Sequence, residues 1–133
     1  MTGVKHKTLM KLSENNFDRI VKKAIRSIPE EIQQYLDNIV ISVKKRPSKK
    51  MLQEMGLSPE EPLLGVYDGV SLMDRSVTSP PLFPDSIILF QEPLEEICET
   101  IQELEEEIEI TVVHEVAHFV GISEERLGEL GYG

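Results

Sequence analysis

At 133 residues, 40% hydrophobic and 29% charged, the chain has the length for one domain with a real core and an ordinary globular composition. No apolar run approaches the roughly 20 residues of a membrane span, and the opening "MTGVKHKTLMKLSENNF" lacks the apolar stretch of a secretory signal, so the cytoplasm is the expected compartment. The net charge of −10 is uneven: residues 1–50 carry 12 Lys/Arg against 5 Asp/Glu, a balance of +7, and residues 51–133 carry 2 against 19, a balance of −17.

In chain order, residues 1–12 read as a flexible basic tail and residues 13–133 as a single domain. Phe17, Ile20, Val21, Ala24, Ile25 and Ile28 recur at helical spacing and predict an amphipathic helix, with Ser13, Asn15 or Asn16 as its cap. Lys22, Lys23 and Arg26 interleave with that stripe as a solvated face would. No aromatic platform or recognition motif accompanies them, so nucleic acid is not the expected partner. Pro29 opens a second helix, with Glu30 and Glu31 in its first turn and Ile32, Tyr35 and Leu36 turned inward. "NIVISVKKRP" alternates β-branched and polar residues and predicts a strand ended by Pro47. "SKKMLQEMG" is a short helix with Ser48 as cap and Gly56 as stop.

"LLGVYDGVSLM" has two apolar arms around Asp68-Gly69 and predicts a β-hairpin over Leu63–Met73. "TSPPLFPD" is irregular loop and "SIILF" a short strand. From Pro93 a helix places Leu94, Ile97, Cys98, Ile101 and Leu104 on one face. As the lone cysteine, Cys98 excludes an internal disulfide and a cysteine-rich zinc site, and it reads as core. The acidic run "ELEEEIE", read as a solvated face or a break between helices, leads into a final helix over about Glu107 to Val120. The pattern is α+β: a small mixed sheet with an antiparallel hairpin, packed against several helices.

The final helix carries the chemistry. On a helical wheel Ile108, Val112, Val116 and Phe119 fall within about 80°, and Val113, Ala117 and Val120 widen the apolar arc. Between Ile110 and Ile122 the only polar side chains are Thr111, His114, Glu115 and His118, so the helix is expected to be mostly buried. Two imidazoles and a carboxylate on such a helix need partners. His114 and His118 stand one turn apart and can converge on one ion. Glu115 is offset by roughly 100°, beside a metal-bound water, where a general base belongs. This is the H-E-x-x-H pattern of zinc metalloproteases.

A catalytic zinc takes a third protein ligand. His6 lies in the tail, so a carboxylate of the turn that follows the helix is expected: Glu124, Glu125 or Glu129. Gly121 ends the helix where the chain reverses. With Glu124 the segment reads H-E-x-x-H-x-x-G-x-x-E, the metzincin spacing with Glu where His or Asp usually stands. Glu125 remains the alternative.

Together "GVYDGVSLMDRS", "PDSIILFQEPLEEIC" and "TVVHEVAHFVGISEERLGELGYG" resemble the small bacterial zincin-like metallopeptidases, the minimal metalloproteases, over about residues 13–133. The resemblance implies a minimal zincin-like core, with the H-E-x-x-H helix beside a small sheet. It implies Zn2+ at His114 and His118, an acidic third ligand at position 124, and Glu115 as the catalytic carboxylate. Many relatives carry Asp at that position, and Glu124 is longer by a methylene. The methionine turn of true metzincins has no counterpart, because the last methionine, Met73, lies upstream.

The reading is then a zinc-dependent hydrolase of peptide bonds, in which Glu115 moves a proton from zinc-bound water to the leaving amine. The alternative is a non-catalytic zinc-binding or interaction module of the same fold. An arm of the hairpin is a candidate for pairing with an extended substrate peptide, and Tyr67 and Arg75 are candidates for substrate contact. The plainer role of Arg75 is a salt bridge. Tyr132 either polarises a carbonyl or simply packs.

Overall fold

The computed structural model of the chain describes residues 10–68 and 85–132. Among them the order is α1 (Glu14–Arg26), α2 (Glu30–Leu36), β1 (Ile39–Lys44), α3 (Lys49–Glu54), β2 (Gly65–Asp68), β3 (Asp85–Phe90), α4 (Gln91–Ile97), α5 (Ile101–Val120) and α6 (Glu124–Glu129). This is the small α+β fold that the patterning predicts.

The sheet has the order β1-β3-β2, with β1 parallel and β2 antiparallel to the central β3. The apolar run Ile87–Phe90 is buried on both faces, as a central strand requires. The first arm of the expected hairpin is β2; its turn and second arm lie outside the described residues, as does Arg75. Phe90 N–H donates to the Leu64 carbonyl at 2.9 Å. Antiparallel alternation then turns the backbone groups of Val66 and Asp68 toward β3 and those of Gly65 and Tyr67 away from it.

The helices form where local signals place them. Ser13 accepts the Asn16 N–H at 3.1 Å and starts α1, whose Phe17, Val21 and Ala24 are buried. Ser48 caps α3 through the Met51 N–H at 3.0 Å, and Gly56 follows it at φ +72°. Residues 1–9 of the expected tail lie outside the described residues. Leu12 is held on both sides: its N–H donates to Glu95 Oε2 at 2.8 Å and its carbonyl accepts from Gln91 Nε2 at 2.9 Å.

Two expectations about the second half are corrected. The helix from Pro93 does not run on to Leu104. The chain is extended at Cys98 and restarts at Thr100, which caps α5 by accepting the Glu103 N–H at 3.0 Å. Leu94, Cys98 and Leu104 are buried, while Ile97 and Ile101 flank the break and are exposed. The acidic run is no boundary either. Glutamate is a good helix former, and Leu104 and Ile108 are fully buried, so α5 runs through it unbroken for 20 residues. This helix is the spine of the molecule. Its Leu104, Ile108, Val112, Val113, Val116 and Ala117 share one core with Phe17, Val21 and Ala24 of α1, Ile87 and Leu89 of β3, and Leu127 of α6. Tyr35, expected inward, is exposed on α2.

Where α5 passes β2 the approach is close. A Cβ on Gly65 would stand 2.8 Å from Thr111 Cγ2 and 3.1 Å from the Ile88 carbonyl oxygen. Only glycine lets this strand lie so near the helix, and the closeness sets the height of β2 over His114 and Glu115.

Candidate functional site

His114, Glu115 and His118 occupy the last two turns of α5. Contrary to the expectation of a mostly buried helix end, both histidines are exposed and Glu115 is half-buried. The reason is the wheel itself: Val112, Val113, Val116 and Ala117 face the core, and the polar side chains fall on the remaining arc. That arc needs no lysine or arginine to face water because the site residues do so.

Gly121, at φ +80°, ends the helix; its N–H and that of Ile122 both bond the Ala117 carbonyl at 2.9 Å. The chain reverses and enters α6 at once, with Ser123 accepting the Arg126 N–H at 3.1 Å. The expected turn is therefore a short capped helix, and Glu124 is its first residue. Two anchors fix α6. Leu127 is buried in the core, and Arg126 makes a bidentate pair with Glu31 of α2, Nε to Oε2 at 2.9 Å and Nη2 to Oε1. The guanidinium holds the Glu31 carboxyl below its ordinary value. Sequence reasoning did not single out Arg126; its being one of two basic residues after position 50 was the signal that could have found it.

The result is one cleft of about 450 Å³ lined by His114, Glu115, His118 and Glu124, with Gly121, Ile122 and Leu127 as its floor and rim. Glu125 and Glu129 do not line it. A hollow of about 520 Å³ beside Leu12, Arg46 and Gln91 shares no residue with this cleft. Its inner polar groups satisfy one another: Glu95 takes the Leu12 N–H and Gln91 Nε2.

Glu115 is held from the β2 side. Its carboxylate accepts the N–H of Tyr67, one of the two residues whose backbone groups point away from β3. Burial raises the pKa of Glu115 above 4.5, and His118, the Tyr67 N–H and His114 each oppose that rise. The Tyr67 ring lies flat on Phe119, with centroids 4.0 Å apart and planes 9° from parallel, and its hydroxyl donates to Asp85 Oδ2 at 3.0 Å. Tyr67 thus serves the site through its backbone, while its ring is built into the wall.

His114 is held from the other side. Its Nε2 lies 2.9 Å from the Tyr132 carbonyl oxygen, and the Tyr132 hydroxyl donates to Glu109 Oε2 at 2.6 Å. Glu109 was not singled out by sequence reasoning, because nothing local in a run of glutamates marks one of them as a tyrosine's partner.

As a zinc-ligand set the residues fit in kind. Two imidazoles and a carboxylate border one cleft, and a second carboxylate stands on the same helix between the imidazoles. They are not gathered into one: among the described residues no three His, Cys, Asp or Glu side chains form a group that could hold a metal ion.

A family model described as zincin-like metallopeptidase matches residues 36–133. That is well over half of the chain, and it takes in the whole sheet, α5 and α6. The chain belongs to the zincin-like metallopeptidase family. A search of curated proteins finds no match. No described helix is long and apolar enough to cross a membrane.

Proposed function

We propose that the chain is a zinc-dependent peptidase in which His114, His118 and Glu124 hold the metal and Glu115 is the acid–base group. The observation that carries this is the common cleft, which borders these four side chains and leaves Glu125 outside. When bound, zinc supplies a Lewis acid that polarises the scissile carbonyl and acidifies water. The protein's own part falls to Glu115. A carboxyl lifted by burial is better matched to taking and returning a proton near neutral pH than an exposed one. Glu115 takes a proton from the attacking water and delivers it to the leaving amine nitrogen. The Tyr67 N–H orients the carboxylate for both transfers. An arm of the hairpin that begins with β2 would pair with an extended substrate peptide.

The alternative reading is a non-catalytic zinc-binding or interaction module of the same fold. The two readings separate in one experiment. Purified wild type and Glu115→Gln should each carry about one zinc per chain, and His114→Ala little. Equal metal in all three would end the zinc reading. Hydrolysis of a peptide library by wild type, absent in Glu115→Gln, would then mark an enzyme; equal hydrolysis, or none in either, would leave the binding module. Glu124→Ala should lose zinc and Glu125→Ala keep it.

A further inference from the structure

The turn after α6 does more than close the fold. Tyr132 holds α5 at two points, through its carbonyl to His114 Nε2 at 2.9 Å and through its hydroxyl to Glu109 Oε2 at 2.6 Å. Those two residues are five apart, about 7.5 Å along the helix axis, a span that one tyrosine bridges. The Tyr132 N–H is itself fixed to the Leu127 carbonyl at 2.8 Å, and Gly131, at φ +96°, makes the turn that allows it. Burial and the Glu109 carboxylate both push the Tyr132 hydroxyl above its ordinary pKa, so it remains the donor.

We propose that Tyr132 is a strap that competes with a metal for His114. This rests on the zinc reading above. An imidazole nitrogen that donates its N–H to a carbonyl has no lone pair to offer a cation. Contact of Nε2 with the Tyr132 carbonyl and ligation through Nε2 therefore exclude each other on one atom. Mutually exclusive events are negatively coupled: whatever stabilises the strap lowers metal affinity by the same factor, and metal binding loosens the strap. The hydroxyl–Glu109 bond lies outside the cleft and adjusts the affinity of a site that it does not touch. The opposite arrangement, in which the strap orients His114 to ligate through Nδ1, is the usual service of a carbonyl behind a metal-bound histidine. It predicts the opposite sign.

The test is zinc affinity, measured on the full chain by competition with a chromophoric chelator. Tyr132→Phe removes the hydroxyl anchor and keeps the ring. Glu109→Ala removes the same anchor from the helix side and serves if the first variant folds poorly. Each should bind zinc about three- to tenfold more tightly than wild type, and the double variant should gain little beyond either. Zinc should also change the tyrosine emission of wild type, a clean signal because the chain has no tryptophan and three tyrosines. Most of that change should vanish in Tyr132→Phe. Weaker binding in both variants overturns the strap in favour of orientation through Nδ1, and unchanged binding overturns it outright. Zinc binding by wild type that His118→Ala abolishes keeps the zinc reading whichever way the strap variants fall. No zinc binding by any of the proteins ends both.

Discussion

Glu115 is drawn in two directions, by a wall that disfavours its charge and by two imidazoles and an N–H that favour it, and the wall prevails. Folding therefore raises its pKa, and the sign of the pH effect follows. Below 4.5 the carboxyl is protonated in both folded and unfolded chains and costs nothing. As pH rises from 4.5 through the raised value, the unfolded chain releases this proton first and the fold loses stability. Glu115→Gln carries no such charge, and its amide oxygen can still accept the Tyr67 N–H. Thermal melts should show the variant more stable than wild type at neutral pH, with the gap closing as pH falls below 4.5. A gap independent of pH would show that the charge is not its cause. His114, Glu115 and His118 were legible in the sequence because their spacing lies within two turns of one helix. The partners that hold Glu115 and His114, Tyr67 and Tyr132, come from a strand and from a turn after another helix, and no local pattern encodes such meetings.

At the scale of elements, the seat of β2 on α5 depends on a missing side chain. Gly65→Ala forces a methyl against Thr111 Cγ2 and the Ile88 carbonyl. Relief requires the strand to shift, which should cost about 1–3 kcal/mol in denaturant unfolding and move the Tyr67 N–H away from Glu115. Adding Thr111→Ser should recover part of that loss; the Ile88 oxygen, being backbone, cannot yield as cheaply. The pair between Arg126 and Glu31 has a different role. It is largely exposed, so Arg126→Met should leave the denaturant midpoint almost unchanged. Because the pair anchors the helix that carries Glu124, the same variant should lose zinc affinity well beyond its loss of stability, as chelator competition can measure. Here the sequence was partly misleading. The capped start and the glycine stop of α6 flank only six residues, too short a run for periodicity to separate a helix from a turn. The glutamates of α5 hid its continuity, since the feature that makes them helical, the burial of Leu104 and Ile108 on the opposite face, belongs to packing.

Across the whole molecule, the basic and acidic halves pair with each other. Lys23 meets Glu105 at 3.5 Å, and Arg46 meets Glu92 at 2.7 Å and also Glu96, each joining a base of the first 50 residues to an acid of the rest, while the pair of Arg126 with Glu31 joins them in the opposite sense. The asymmetry thus has an internal use, and duplex DNA should show no salt-sensitive binding at physiological ionic strength in a filter or anisotropy assay. Stability rests instead on the single core around α5. Ile108→Ala, at a fully buried position, should cost about 2–5 kcal/mol, read as a lowered denaturant midpoint. The length of that helix has an electrical consequence. Its peptide dipoles add along 20 residues to give a partial positive charge at Ile101 and a partial negative charge at Val120. Glu103, Glu105, Glu106 and Glu107 crowd toward the positive end, and His114 and His118 stand in the turns nearest the negative one. The spine of the fold is thus a polarised rod whose site end favours a cation by about 0.3–1 kcal/mol before any ligand is counted.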